Sequence, residues 1–134
     1  MDPFSIFTGV VGILQGVNTC LKSIKKHIGP SAMSASETEE LKRSLYEFHG
    51  AMRSFQMHLE LYDDDEERIS ALEYLRPAVN GSKESLKIVK QYINSGRTEK
   101  FFGGVKFDKQ LKASLKSLDD ASKLFSMAIL ADQQ

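Results

Sequence analysis

The residues able to do chemistry in this 134-residue chain are few: three histidines, one cysteine and an acidic run at 63–67. His27, His49 and His58 show no HExxH or other metal-ligand spacing. His49 and His58 stand nine apart, about 180° around a helix, and both read as surface or boundary side chains. The run DDDEE has carboxylates but neither the spaced ligands nor the mid-loop glycine of an EF-hand, so it reads as a solvated turn. Cys20 has no second cysteine to pair with, which fits a reducing cytosol. The glycine-containing stretches fare no better. GVVGILQG lacks the order of a dinucleotide turn and follows no strand, FFGGVKF lacks the GK[ST] ending of a phosphate loop, and no GxSxG elbow occurs. No catalytic residue, metal ligand or cofactor is expected, and the chain does not read as an enzyme.

The elements that carry these residues are bounded by composition. A chain of this length suits one domain with a core of its own. Hydrophobic content of 41% and charged content of 27% are ordinary for a globular domain. With 18 basic and 18 acidic residues the formal net charge is zero, which excludes the strongly basic surface of a dedicated nucleic-acid binder. The charge is unevenly spread. Residues 1–35 hold three Lys and one Asp, 36–67 three basic and ten acidic residues, and 68–134 twelve basic and seven acidic. The acidic middle and basic ends can attract one another in a bundle or a dimer.

Apolar spacing of three and four runs through the chain, and no stretch alternates with period two, so the fold class is all-α. A first helix opens at Asp2-Pro3, runs through Ile28 and stops at Gly29-Pro30, with a small polar linker at 31–36. A second begins at Ser36, with Glu39 completing a capping box. Its face is Leu41, Leu45, Phe48, Met52, Phe55 and Leu59, and it ends near Tyr62. The third spans about 65–94 and contains Pro77 and Gly81. Because Leu72, Leu75, Val79, Ser82, Leu86, Val89 and Ile93 keep phase across the proline, it reads as one kinked helix or two nearly collinear pieces. A Gly-containing loop is expected at 95–107, with Phe101-Phe102 as an exposed-looking pair. Asp108 then caps a fourth helix with face Leu111, Leu115, Leu118, Ser122, Phe125 and Ile129. The expected architecture is a single-domain up-down four-helix bundle with a kinked third helix.

The first helix is the informative one. Residues 3–21 carry no charged side chain over about 28 Å, close to the thickness of a bilayer's hydrocarbon. Ser5, Thr8, Gln15, Asn18 and Thr19 make it less apolar than an ordinary span, so it is a borderline segment. Ile6, Phe7, Val10, Ile13, Leu14, Val17, Leu21, Ile24 and Ile28 share one broad face, and Gly9, Gly12 and Gly16 line the opposite side. Three helical glycines cost about 1 kcal/mol each relative to alanine. Two readings compete: the strip lets a neighbouring backbone of the bundle approach closely, or Gly12-x-x-x-Gly16 is a self-association face in lipid. Lys22, Lys25 and Lys26 follow the apolar run, the reverse of a secretory signal. They suit anionic headgroups at a cytoplasmic leaflet, or they complement the helix dipole.

The opening MDPFSIFTGVVGIL resembles the N-terminal start of many fungal NOD-like receptors and cell-death effectors. With four helices behind it, the chain looks like a HeLo-like domain, related to the HeLo domain of fungal heterokaryon incompatibility proteins and similar to the executioner bundle of mixed-lineage-kinase-like necroptosis proteins. The likeness is strongest over residues 2–28. It implies a membrane-targeting, cell-death-inducing domain, the excised N-terminal part (1–134) of a longer protein, cytoplasmic at rest and at the plasma membrane when activated. On this resemblance Phe4, Ile6, Phe7, Val10, Val11, Ile13, Leu14, Val17 and Leu21 insert, the strip Gly9, Gly12 and Gly16 matches the family's glycine-rich helix, and Lys22, Lys25 and Lys26 meet lipid headgroups. The implied partners are anionic membrane lipids, further copies of the domain in a homo-oligomer, and an amyloid-forming or NOD-like receptor region; nucleic acid is not among them. Gln15 and Asn18 make insertion of a lone helix costly, which requires an oligomer. The related SesA-type domains imply an alternative: a soluble signalling or adaptor domain that docks another protein through the acidic turn 63–67 or through Phe101-Phe102.

Overall fold

The computed structural model describes residues 4–26, 35–61, 64–94 and 97–132, with side chains described at 6–26, 35–61, 64–94 and 109–131. Among these residues every regular element is helical. Four long helices, α1 (Phe4–Lys26), α2 (Ala35–Glu60), α4 (Arg76–Asn94) and α5 (Arg97–Asp132), form a bundle, and a single short helix, α3 (Glu66–Ser70), leads into α4 through a 3-10 turn at Glu73–Leu75. The expected all-α four-helix bundle is what the chain builds.

α1 and α5 each pack on α2 and on α4, so these two stand across the bundle from one another. Gly9, Gly12 and Gly16 of α1 face Val79, Lys83 and Leu86 of α4 in that order, and the two helices therefore run parallel. Leu41 shares a groove with Leu111, and Phe55 stacks on Phe125 with ring centroids 4.8 Å apart, so α2 and α5 are also parallel. The Tyr92 hydroxyl near the end of α4 donates to Glu37 Oε2 at the start of α2, 3.3 Å away. Direction thus alternates along the chain, and the segment from α2 to α4 crosses the bundle.

Apolar periodicity explains the core. Leu41, Leu45, Phe48, Met52, Phe55 and Leu59 are all buried, as the spacing of α2 demands. On α4, Val79, Ser82, Leu86, Val89 and Ile93 are buried; in the turn before it Leu75 is buried and Leu72 half-buried.

Several expectations are corrected. The third segment is not one helix but α3, a 3-10 turn and α4. The break lies before Pro77, where Leu72 adopts φ −89° and ψ 7° and the bonds Leu72 N to Ile69 O and Leu75 N to Leu72 O tighten the chain into i→i+3 form. Pro77 is the second residue of α4, in the first turn where a missing N–H costs little. The loop expected at 95–107 is helical from Arg97 onward, and α5 passes through Gly103-Gly104 in a run of 36 residues. Two glycines cost about 2 kcal/mol, which a continuous helix of good formers with no internal proline absorbs. Asp108 consequently lies inside α5 rather than capping it, and Ser36 lies inside α2, which starts at Ala35. The inward line of α5 is Ser114, Leu118, Ala121, Phe125 and Ala128; Leu111, Leu115, Ser122 and Ile129 flank it half-buried. His58 is buried, not at the surface or boundary, because it sits beside Phe55 and Leu59 on the inner side of α2; His49 is half-buried. The helix-starting signal Asp2-Pro3, the helix-ending signal Gly29-Pro30, the residues His27, Ile28, Tyr62 and Asp63, the 31–34 part of the linker and the side chains of Phe101-Phe102 lie outside the described residues.

Candidate functional site

α1 is held by both of its faces. Ile6, Val10, Ile13, Leu14, Val17 and Ile24 are buried, while Phe7 and Leu21 are half-buried against the core. Val11, placed in the inserting set by resemblance, is 42% exposed. Phe4 belongs to α1, but its side chain is outside the described set. Lys22, Lys25 and Lys26 are exposed, two of them in the last turn, where they also complement the helix dipole.

The glycine strip is not a free face. Gly9 is buried, and a Cβ placed there would lie 2.5 Å from Val79 Cγ1. At Gly16 the nearest atom, Leu86 Cδ1, would be 3.2 Å away. At Gly12 it would be Lys83 Cε at 3.6 Å, an ordinary contact. The bundle itself therefore uses Gly9, and to a lesser degree Gly16, for close approach to α4. Gly12 is not needed for that packing.

Cys20 closes the same seam. It is buried, and its Sγ donates to Leu86 O at 3.6 Å. Burial pushes the thiol up to about 11, with the nearby Lys90 ammonium pulling the other way. A thiol so protected is a poor nucleophile. Ser82 of α4 is also buried, and among the described residues its Oγ has no hydrogen-bond partner.

Between α1 and α4 a groove of about 290 Å³ remains open, lined by Gly12, Gly16, Thr19, Leu86 and the lysines Lys83, Lys87 and Lys90. The acidic turn is partly structural: Asp65 Oδ1 accepts from Arg68 N at 3.1 Å and caps α3. Leu61 next to it is 74% exposed. Among the described residues no group of three His, Cys, Asp or Glu side chains is placed to hold a metal ion, and no helix is long and apolar enough to cross a membrane.

Sequence reasoning brought α1 and its glycines to the front but did not find the lysines of α4. Their spacing of 83, 87 and 90, one face of a helix, was the available signal. No protein-family model, no curated protein and no solved structure matches the chain.

Proposed function

We propose that the chain is an inducible membrane-disrupting domain, in which α1 leaves the bundle on oligomerisation and places its apolar face in a bilayer. The observation that carries this reading is the composition of α1: no acidic residue from Phe4 to Lys26, no charge before Lys22, and a wide apolar face followed by three exposed lysines. The physical difficulty is clear. Ile6, Val10, Ile13, Val17 and Ile24 are fully buried, and at about 2 kcal/mol each their exposure to water would forfeit roughly 10 kcal/mol. That is of the order of a whole domain's stability. Release is therefore possible only where the face is buried again, among acyl chains or against other copies of α1.

α1 by itself is not apolar enough to span a bilayer. Its mode of entry is accordingly an amphipathic helix lying at the headgroup boundary, or a helix within an oligomer that satisfies Gln15 and Asn18. Lys22, Lys25 and Lys26 would anchor the following turn on anionic lipid at about 1 kcal/mol per charge. The test is expression fused to an inducible oligomerising tag, scoring relocation to the plasma membrane and cell death. Relocation and killing that depend on induction support the reading; oligomerisation without either overturns it.

A second reading is favoured by one observation, the exposure of Leu61 beside the carboxylates of Asp64, Asp65, Glu66 and Glu67. In this reading the domain is a soluble adaptor that docks a partner with a basic-rimmed apolar pocket. Pull-down of one defined partner without lipid, abolished by Leu61→Ser, together with absence of membrane recruitment, would select it over the first.

A further inference from the structure

We propose that the groove between α1 and α4 binds a phosphate-bearing anion, and that this ligand holds α1 in its packed position. The argument begins with charge. Lys83, Lys87 and Lys90 recur at spacings of four and three, so they share one face of α4. That face looks onto a helix with no carboxylate at all between Phe4 and Lys26. Lys87 is paired with Glu84 of its own helix at 3.5 Å, both side chains being well exposed. Lys83 and Lys90 make no ion pair among the described residues. Lys83, Lys87 and Lys90 thus line a concavity whose lining, among the described residues, holds no carboxylate, an arrangement that concentrates anions.

The shape agrees with the charge. Lys83 lies over the glycine strip, its Nζ 3.9 Å and its Cε 3.6 Å from where Cβ atoms on Gly9 and Gly12 would be. Lys90 borders the same groove. Lys83 thus packs over the glycines of α1. At Gly12 a Cβ would meet only an ordinary contact, whereas Gly16 lets Leu86 come close, and both border the groove. A space of about 290 Å³ is at the small end of ligand sites, large enough for a phosphate group with a short organic portion against Leu86. Thr19 borders the groove, but its hydroxyl donates to Gln15 O at 2.9 Å, so the lysines are the donors that an anion would meet there.

The consequence is conformational. The groove exists only while α1 lies on α4, so whatever binds there stabilises the packed state by mass action and opposes release of α1. This inference stands apart from the membrane reading and can fail or hold without it.

The test is titration of the whole chain with inorganic pyrophosphate at constant ionic strength, followed by calorimetry and by amide exchange of α1. A parallel arm uses phosphatidylcholine vesicles with and without phosphatidic acid, which separates a free anion from a lipid headgroup as the source. The expected result is saturable binding in at least one arm, slower exchange across α1, and affinity reduced about tenfold or more, equivalent to about 1.4 kcal/mol, in Lys83→Gln/Lys90→Gln. The charge-matched control Lys116→Gln/Lys123→Gln, on exposed residues of α5, should bind as the unaltered chain does. No saturable binding in either arm, equal binding by the Lys83→Gln/Lys90→Gln chain, or equal loss in the control would overturn the proposal.

Discussion

A Cβ atom added to Gly9 would stand 2.5 Å from Cγ1 of Val79, so only glycine lets α1 and α4 approach this closely here. Val79 is β-branched and buried, with little rotamer freedom to withdraw. Gly9→Ala should therefore destabilise the bundle by about 1–3 kcal/mol, the usual scale of overpacking. Gly12→Ala meets only an ordinary contact and gains helix propensity, so it should be neutral or stabilising by up to about 1 kcal/mol. Urea midpoints of the two variants check the ranking. Equal effects would mean that the strip does not distinguish packing from other roles.

The Cys20 thiol gives a signature at alkaline pH. Burial raises it from 9.0 to about 11 in the folded chain, so the unfolded chain ionises first. Its contribution is complete below about pH 9 and is lost as pH rises from there through 11, by up to about 3 kcal/mol. The difference in stability between the parent and Cys20→Ala should accordingly shrink as pH rises across that window. Parallel curves from pH 8 upward would contradict the buried thiol.

Ser82 is expected to be a liability. Among the described residues its buried Oγ has no hydrogen-bond partner, a state that costs about 1–3 kcal/mol. Ser82→Ala removes the unsatisfied group with almost no change in volume, and the melting temperature should rise by a few degrees. A fall would show that the hydroxyl is satisfied.

Phe55 and Phe125 join α2 to α5 at the centre of the bundle, both fully buried. Either phenylalanine changed to alanine should cost about 3–5 kcal/mol. Their double-mutant cycle should return a coupling of about 0.5–1.5 kcal/mol, measured by denaturant titration.

The helices were legible where apolar residues repeat every three or four positions, and α2 shows this residue by residue from Leu41 to Leu59. Boundaries were less legible. Gly103-Gly104 and Asp108 look like a loop and a cap, yet the helix passes through them, because local stop signals lose to the length of the favourable run on either side. Pro77 misled in the other direction: only the fold shows that it falls in a first turn. Small residues were also under-read. Ala121 and Ala128 line the core of α5 because α5 lies close to its neighbours, and burial of an alanine leaves little trace in periodicity. One signal was present but unused. Leu41, Lys42, Ser44, Leu45, Ala51, Phe55 and Met57 recur seventy positions on as Leu111, Lys112, Ser114, Leu115, Ala121, Phe125 and Met127, matching the parallel register of α2 and α5. For the site, α1 announced itself by its lack of charge, but which glycine is packed against what depended on the partner helix, information no single helix contains.

The decisive experiment follows from the seam between α1 and α4. The Cβ position at Gly9 lies 3.8 Å from Val79 Cβ, the spacing of a disulfide. A Gly9→Cys/Val79→Cys chain in a Cys20→Ala background can thus be locked by oxidation and freed by reductant. Leakage of anionic vesicles by the oligomerised domain is then measured in both states. The account expects little leakage while the bond is closed and full leakage once it is reduced. Equal leakage from the locked and the freed chain would show that α1 never has to leave the bundle.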